Sequence, residues 1–359
     1  MKLILLNQFG FASGAPTGRI LAELGEELES RGHQVFILTS DSSYGGPRRG
    51  LGRMLQEGLS HISLLAKGFW RPKVDAVVSL TSPACLAITA AVVAKMHRAR
   101  HFPWVMDVYP EVGVRLGELK SGVLVRLLSY LMGRAYQQAA RVVTLDDDMR
   151  DYLHESHGID SSVIGPFPPE IKWPAVERNY QPAKQWLYSG NFGRAHEIQP
   201  LLEVQRKLED LHVNAHLILQ GQGPQFLSSQ ELAKSLNLRQ VQWREPVSVE
   251  MLGETLLESE VLVVTRKAEM KGLLLPSKLL LAELSGRRIL WIGDTIGATA
   301  KRLSRQGRHG VFAVDETEAI AQWLSGLFTK ASPEPYPEPT PTSLVREQAF
   351  QQWSDLLCS

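Results

Sequence analysis

Residues 3–38 read LILLNQFGFASGAPTGRILAELGEELESRGHQVFIL, and their order of apolar and polar positions decides the fold class. Leu3–Leu6 is a short strand-like apolar run that ends in a loop rich in glycine and serine, Phe9 to Gly18. The next segment puts Ile20, Leu21, Leu24 and Leu28 on one helical face and Glu23, Glu26, Glu27 and Glu29 on the other. Gly32 supplies a left-handed cap, and Val35–Leu38 starts a second strand. The unit is βαβ, and its loop lies at the carboxyl end of the first strand, where such folds bind ligands.

Outward from this unit the alternation continues. Strands are expected at Ala76–Leu80, Trp104–Met106 and Val142–Leu145. Gly165 to Pro182 is rich in proline, lacks apolar periodicity and reads as a linker. The pattern then restarts at Trp186–Tyr188, His216–Leu219, Val241–Trp243, Val261–Thr265, Ile289–Ile292 and Val311–Val314. A second proline-rich stretch, ASPEPYPEPTPTS, precedes a terminal amphipathic helix that a stiff linker would carry back to the first domain. The predicted class is α/β with two domains, residues 1–166 and 183–330, and a C-terminal helix at 343–359.

The chain has 359 residues, 44% hydrophobic and 21% charged, which excludes disordered, collagenous and coiled-coil classes. With 39 basic against 38 acidic side chains, nothing global calls for nucleic acid. Cys85 and Cys358 cannot make a disulfide framework, and their scarcity suits a reducing compartment. The run after Met1 is too short for a secretory signal, and Ala84–Ala94 is too short to span a bilayer. A cytoplasmic protein is expected, one able to rest on a membrane surface.

Three features carry chemistry. The loop Gly10 to Gly18, with Gly14, Thr17 and Gly18, runs into a helix start, where free N–H groups favour an anion. It matches neither the dinucleotide fingerprint nor the P-loop. Tyr188-Ser189-Gly190-Asn191-Phe192-Gly193-Arg194 repeats the strand and glycine loop and adds a guanidinium able to hold two phosphate oxygens. Lys278, in Leu275-Pro276-Ser277-Lys278, opposes the dipole of the helix it starts, and a bound phosphate would remove that conflict.

Together with RGHQVFILTS, WVMDVYPEVGVRLG, YSGNFGRAHEIQPLL, LILQGQGP and PSKLLLAELSGRRIL, in that order along the chain, these features resemble glycosyltransferase family 4. The similarity is greatest to the branch that builds bacterial surface polysaccharides. The resemblance implies the GT-B fold, two Rossmann-like domains facing a central cleft, and retaining transfer from a nucleotide-diphosphate sugar. Gly14 and Gly18 match the glycine-rich loop near the donor diphosphate and acceptor, with Thr17 between them. Gly190, Asn191 and Arg194 match the diphosphate loop, and Ser277 and Lys278 match the Pro-Ser-Lys donor motif. Gly221 and Gly223 match the loop near the nucleotide. Asp107 and Glu111 match the D-x-x-P-E motif, with Asp107 positioning the acceptor. The implied catalytic set is Asp107, Arg194 and Lys278. The family's paired glutamates are replaced by Leu273 and Leu281. The implied partners are the donor and a lipid-linked or saccharide acceptor; no cofactor and no metal are expected, because the nucleotide sugar is a substrate.

Asp146-Asp147-Asp148 has the D-x-D form of a metal motif, but it precedes a helical segment, where aspartates cap. The ten histidines show no metal spacing, and His97 and His101 read as flanking a basic loop. Pro47 to Lys73 holds Arg48, Arg49, Arg53, Lys67, Arg71 and Lys73 against Glu57, interleaved with Leu, Ile, Met, Phe69 and Trp70. Such a segment fits an anionic membrane surface or a packed helix with a solvated basic face. The rival functions are a nucleotide-sugar epimerase of the same fold and a catalytically silent partner subunit.

Overall fold

The computed structural model describes residues 1–40, 51–175, 183–329 and 336–359. It divides into two compact units. The first comprises Met1–Pro166, Gly272–Leu275 and Glu347–Ser359; the second comprises Phe167–Lys271 and Pro276–Arg346.

The first unit runs β1 (Lys2–Leu6), α1 (Pro16–Ser30), β2 (Gln34–Leu38), α2 (Leu51–Phe69), β3 (Ala76–Ser79) and α3 (Leu86–His97). It continues through β4 (Arg100–Val105), α4 (Glu111–Arg115), α5 (Val123–Gln137), β5 (Val142–Thr144), α6 (Asp147–His157) and β6 (Ser161–Val163). All neighbours in the sheet β2-β1-β3-β4-β5-β6 pair parallel. Such a sheet is covered on both faces, which is why Leu3–Leu6 and Ala76–Ser79 are continuous buried runs. Strand order reverses between β1 and β3. Right-handed crossovers therefore put α1 on one face and α2, α3 and α5 on the other.

The second unit runs β7 (Ala183–Ser189), α7 (Gln199–Asp210), β8 (His216–Gln220), α8 (Phe226–Ser235), β9 (Val241–Arg244) and α9 (Val249–Glu258). Then come β10 (Ser259–Thr265), α10 (Lys278–Leu284), β11 (Arg288–Ile292), α11 (Ala298–Arg305), β12 (Gly310–Phe312) and α12 (Thr317–Phe328). The sheet β12-β11-β10-β7-β8-β9 is again parallel, and its order reverses between β7 and β10. Trp186, Leu217, Val261 and Leu290 of the sheet pack with Leu201 and Leu208 of α7 and Leu324 and Phe328 of α12.

The last helix, α13 (Thr342–Cys358), ends in the first unit. Its Trp353 is fully buried with its ring 5.0 Å from that of Trp104, and Arg31, which caps the end of α1, donates to Gln351 at 2.8 Å. α13 therefore lies on the α1 face of the sheet.

Several expectations need correction. β4 begins at Arg100, so His101 is a strand residue, buried and bonded through Nε2 to Ser79 Oγ at 3.0 Å; burial pushes its pKa down to about 3. His97 is buried with Nε2 on the Gly68 carbonyl at 3.0 Å. Neither flanks a basic loop. β6 is a short half-buried edge strand that the apolar pattern does not reveal. Phe167 and Ile171, inside the expected linker, are buried in the second unit, and residues 176–182 lie outside the described ones. The second proline stretch is also tied down where described. Arg287 and Arg288 lie over the Tyr336 ring at 4.6 and 5.2 Å, and Thr340 N donates to Leu284 O at 2.7 Å. The capping expected of the aspartate run, by contrast, is what the structure has: Asp146 accepts from Met149 N at 2.8 Å at the start of α6.

Candidate active site

The loops at the two reversal points hold most of the residues singled out above. In the second unit, β7 ends at Ser189 and the chain turns through Gly190 at φ +140°. Gly190 N donates to Gln220 O at 2.9 Å, Gly221 N to Arg244 O at 3.0 Å and Phe192 N to Gln222 O at 2.8 Å, so the ladder continues past the strand ends. A Cβ on Gly221 would lie 1.9 Å from Gly190 O, and one on Gly223 would lie 2.4 Å from Asn191 Oδ1. Both have φ above +130°. Only glycine allows these loops to close on each other.

Lys278 starts α10, and its ammonium lies 3.6 Å from the centre of the Tyr188 ring. A ring face attracts a cation, which gives Lys278 a local partner that the sequence alone does not reveal. The amine nevertheless has no hydrogen-bond partner among the described residues. Burial drives its pKa well below the usual lysine value. The Tyr188 hydroxyl donates to Asn191 O at 2.7 Å, which fixes the loop beneath the lysine. His196 Nδ1 donates to Thr265 O at 2.6 Å; burial first, then the Lys278 charge, push its pKa down to about 3, so it is neutral at pH 7. Arg194, Asn191 and Ser277 are exposed, and Arg194 makes no ion pair with any described residue.

Sequence reasoning missed three groups at the carboxyl ends of these strands. Arg266, after β10, is fully buried, lies over the Trp291 ring at 5.0 Å and pairs with Asp294 at 2.5 Å. This pair fixes the loops after β10 and β11; its members are 28 residues apart in sequence and match no motif. Gln220, at the end of β8, is buried with neither amide atom partnered among the described residues.

In the first unit, Asn7 Nδ2 donates to Phe9 O at 2.8 Å and to Thr17 Oγ1 at 3.2 Å, which ties the loop to the first turn of α1. Helix α1 starts at Pro16, so Gly18 is not before the helix but inside it. A Cβ there would lie 2.3 Å from Gly10 O, so Gly18 serves close packing of helix on loop. Gly14 is left-handed at φ +72° with open space around it. Phe11 is exposed at the crest of this loop.

Asp107 follows β4 in an antiparallel bridge with Leu274, and Val108 N donates to Leu273 O at 2.8 Å. Desolvation raises the Asp107 pKa to about 6. Leu273 is itself buried, and an acid in its place would suffer the same desolvation. Glu111 points back into its own unit: Ser129 Oγ donates to it at 2.6 Å and His157 Nε2 lies 3.9 Å away. Glu283, near the position of Leu281, is taken up by an ion pair with Arg302. No cluster of three or more metal-ligating side chains occurs among the described residues.

Residues 17–170 match the model of the Glycosyl transferase 4-like domain. The chain is 26% identical over 270 residues to the "Probable glycosyltransferase WbjE" of Pseudomonas aeruginosa, a match covering 71% of this chain and 65% of the relative. It thus spans under two thirds of that relative's length. Among solved structures, sucrose-phosphate synthase of Thermosynechococcus elongatus aligns with a TM-score of 0.68 at 12% identity, over 99% of this chain and 96% of that one. HepE of Anabaena, in complex with UDP and glucose, aligns at 0.66 and 12% identity, over 100% and 99%. The lipopolysaccharide outer core galactosyltransferase WaaB aligns at 0.65 and 14% identity, over 99% of each chain. The matched domain and the curated relative make the chain similar to glycosyltransferases of family 4, and the pair of parallel six-stranded sheets is the GT-B fold of these solved structures.

Proposed function

We propose that the protein transfers a sugar from a nucleotide-diphosphate sugar to an acceptor hydroxyl during assembly of a cell-surface polysaccharide. The observation that carries this reading is the buried ammonium of Lys278, which has a ring for company and no hydrogen-bond partner, beside the glycine loops 190–194 and 221–223. A buried cation of this kind is stabilised by an anion. A diphosphate leaving group is such an anion, and its charge grows as the bond to the sugar breaks. Lys278 and Arg194 supply fixed positive charge to it, so that departure needs no divalent metal. Asp107 accepts a hydrogen bond from the acceptor hydroxyl and orients it, and retention of configuration follows if the phosphate takes the proton on the leaving-group face.

The acceptor on this reading is a saccharide or a lipid-linked saccharide, with the segment 47–73 holding the enzyme at a membrane. Pro47–Gly50, with Arg48 and Arg49, lie outside the described residues, as does the side chain of Arg53. Lys67 donates to Thr39 O at 2.7 Å and Arg71 lies over the Phe36 ring at 5.5 Å, so these two charges are partly engaged.

The test is a binding screen across nucleotide sugars, UDP-glucose first because a structural neighbour carries UDP and glucose, followed by mass spectrometry of products with saccharide acceptors. Binding plus a glycosylated product supports transfer. Conversion of the donor alone would identify an epimerase, and absence of binding to every donor would overturn the reading.

A further inference from the structure

Asp107 is aimed by its backbone. Its side chain makes no hydrogen bond to a described residue, and burial alone moves its pKa. The carboxylate therefore points where the turn from Asp107 to Glu111 holds it. That turn leads into α4, a helix of five residues, which is too short to keep its shape without outside contacts.

Both ends of the turn are tied, and every tie lies within the first unit. At its start Asp107 bridges Leu274, and Val108 N donates to Leu273 O at 2.8 Å. At its end Glu111 Oε1 accepts from Ser129 Oγ of α5 at 2.6 Å and lies 3.9 Å from Nε2 of His157, the last residue of α6. Glu111 Oε2 is buried with no partner among the described residues, so this carboxylate depends on Ser129 and His157. An apolar side chain at position 111 would fill the same space without the cost of desolvating a charge, so packing alone gives no reason for Glu111.

The imidazole of His157 is itself fixed. It meets the Tyr136 ring edge-on at 6.5 Å, and a Cβ on Gly133 of α5 would lie 3.1 Å from its Nδ1. Helix α6 also seats the other tie. Gly272, just before Leu273, is left-handed at φ +74°, and a Cβ there would lie 2.8 Å from both Asp148 O and Tyr152 Cβ. One helix thus reaches both ends of the turn, with Asp148 and Tyr152 under the segment that pairs with Asp107 and His157 against Glu111.

We propose that Ser129 and His157 are positioning residues: through Glu111 they hold the turn that aims Asp107 at the acceptor hydroxyl, and α6 is the bracket that fixes both ends of it. This rests on the acceptor role proposed for Asp107.

The test is a double-mutant cycle in steady-state transfer, with UDP titration and thermal denaturation of each variant. Ser129→Ala removes the hydroxyl from a helix that alanine suits. It should lower kcat about fivefold and leave the acceptor KM and the UDP affinity close to those of wild type. In the Asp107→Asn background the same substitution should change kcat by less than about twofold, since no carboxylate remains to be aimed. His157→Gln keeps a donor toward Glu111 and should transfer at close to the wild-type rate, whereas His157→Ala should match Ser129→Ala. Should Ser129→Ala unfold, the two His157 variants make the same comparison. Equal losses with and without the Asp107 carboxylate would make these residues ordinary packing and overturn the proposal, as would alanine variants that transfer as wild type does. The readings beneath it fail separately: wild type that makes no product overturns the transferase reading, and Asp107→Asn at full activity overturns the acceptor role of Asp107.

Discussion

After its first strand each unit turns through a glycine loop where its strand order reverses, yet the nine residues Gly10–Gly18 carry no charged side chain, whereas Arg194 lies in the loop after β7 and Lys278 beside it. The backbone differs as well. In the second unit three glycines at positive φ let two loops meet at distances a Cβ forbids, while in the first Gly14 has open space around it. Rossmann-like topology sets up a ligand site in both units, and local charge decides which ligand suits each. On the proposed function the cationic, tightly closed loop takes the diphosphate. On the same reading the neutral one, in the same unit as the Asp107 carboxylate, takes hydroxyl groups.

The sharpest way to break this contrast is Gly221→Ala, which should abolish nucleotide binding, because its Cβ would collide with the Gly190 carbonyl. Nucleotide titration checks this, and retained affinity would mean that the loop is not closed as described. Lys278→Ala should lower kcat by roughly 10²–10³, the cost of removing one group that stabilises developing charge, with the folded state kept in circular dichroism. Lys278 adds a pH signature. Its pKa is depressed in the free protein and a bound diphosphate raises it, so between the two values binding takes up a proton and weakens as pH rises. Calorimetry in buffers of different ionisation enthalpy should show that uptake in wild type and lose it in Lys278→Ala.

A smaller effect is expected at Asp107. Its pKa of about 6 means that the ionised form is lost as pH falls through that value, so the rate should fall on the acid side near pH 6. Asp107→Asn should lower the rate about tenfold and flatten that limb. An unchanged profile would remove Asp107 from acceptor positioning. The smallest effect belongs to Gly14→Ala, where only the left-handed backbone is strained; thermal denaturation should register a loss of about 1 kcal/mol.

The sheets were legible in the sequence because a parallel strand covered on both faces must be an apolar run, and Leu3–Leu6 or Val261–Thr265 can be little else. β6 escaped because Ser161-Ser162-Val163 is a half-buried edge with no such run. The first residues of β4 escaped because Arg100 and His101 are polar, and His101 is tolerated inside only through its bond to Ser79. The glycine loops and Lys278 stood out as local patterns. What could not be read was long-range pairing: the Tyr188 ring under Lys278, the Asp294 carboxylate on Arg266, and Ser129 and His157 around Glu111.

The packing of Trp353 against Trp104 bears on how the chain matures during synthesis. Domains generally fold as they leave the ribosome, the earliest first. Here residues 347–359 and 272–275 complete the unit that residues 1–166 begin. Trp104 therefore stays uncovered on the α1 side until residues 347–359 have been made. A nascent chain stalled before Glu347 would display that open indole to chaperones.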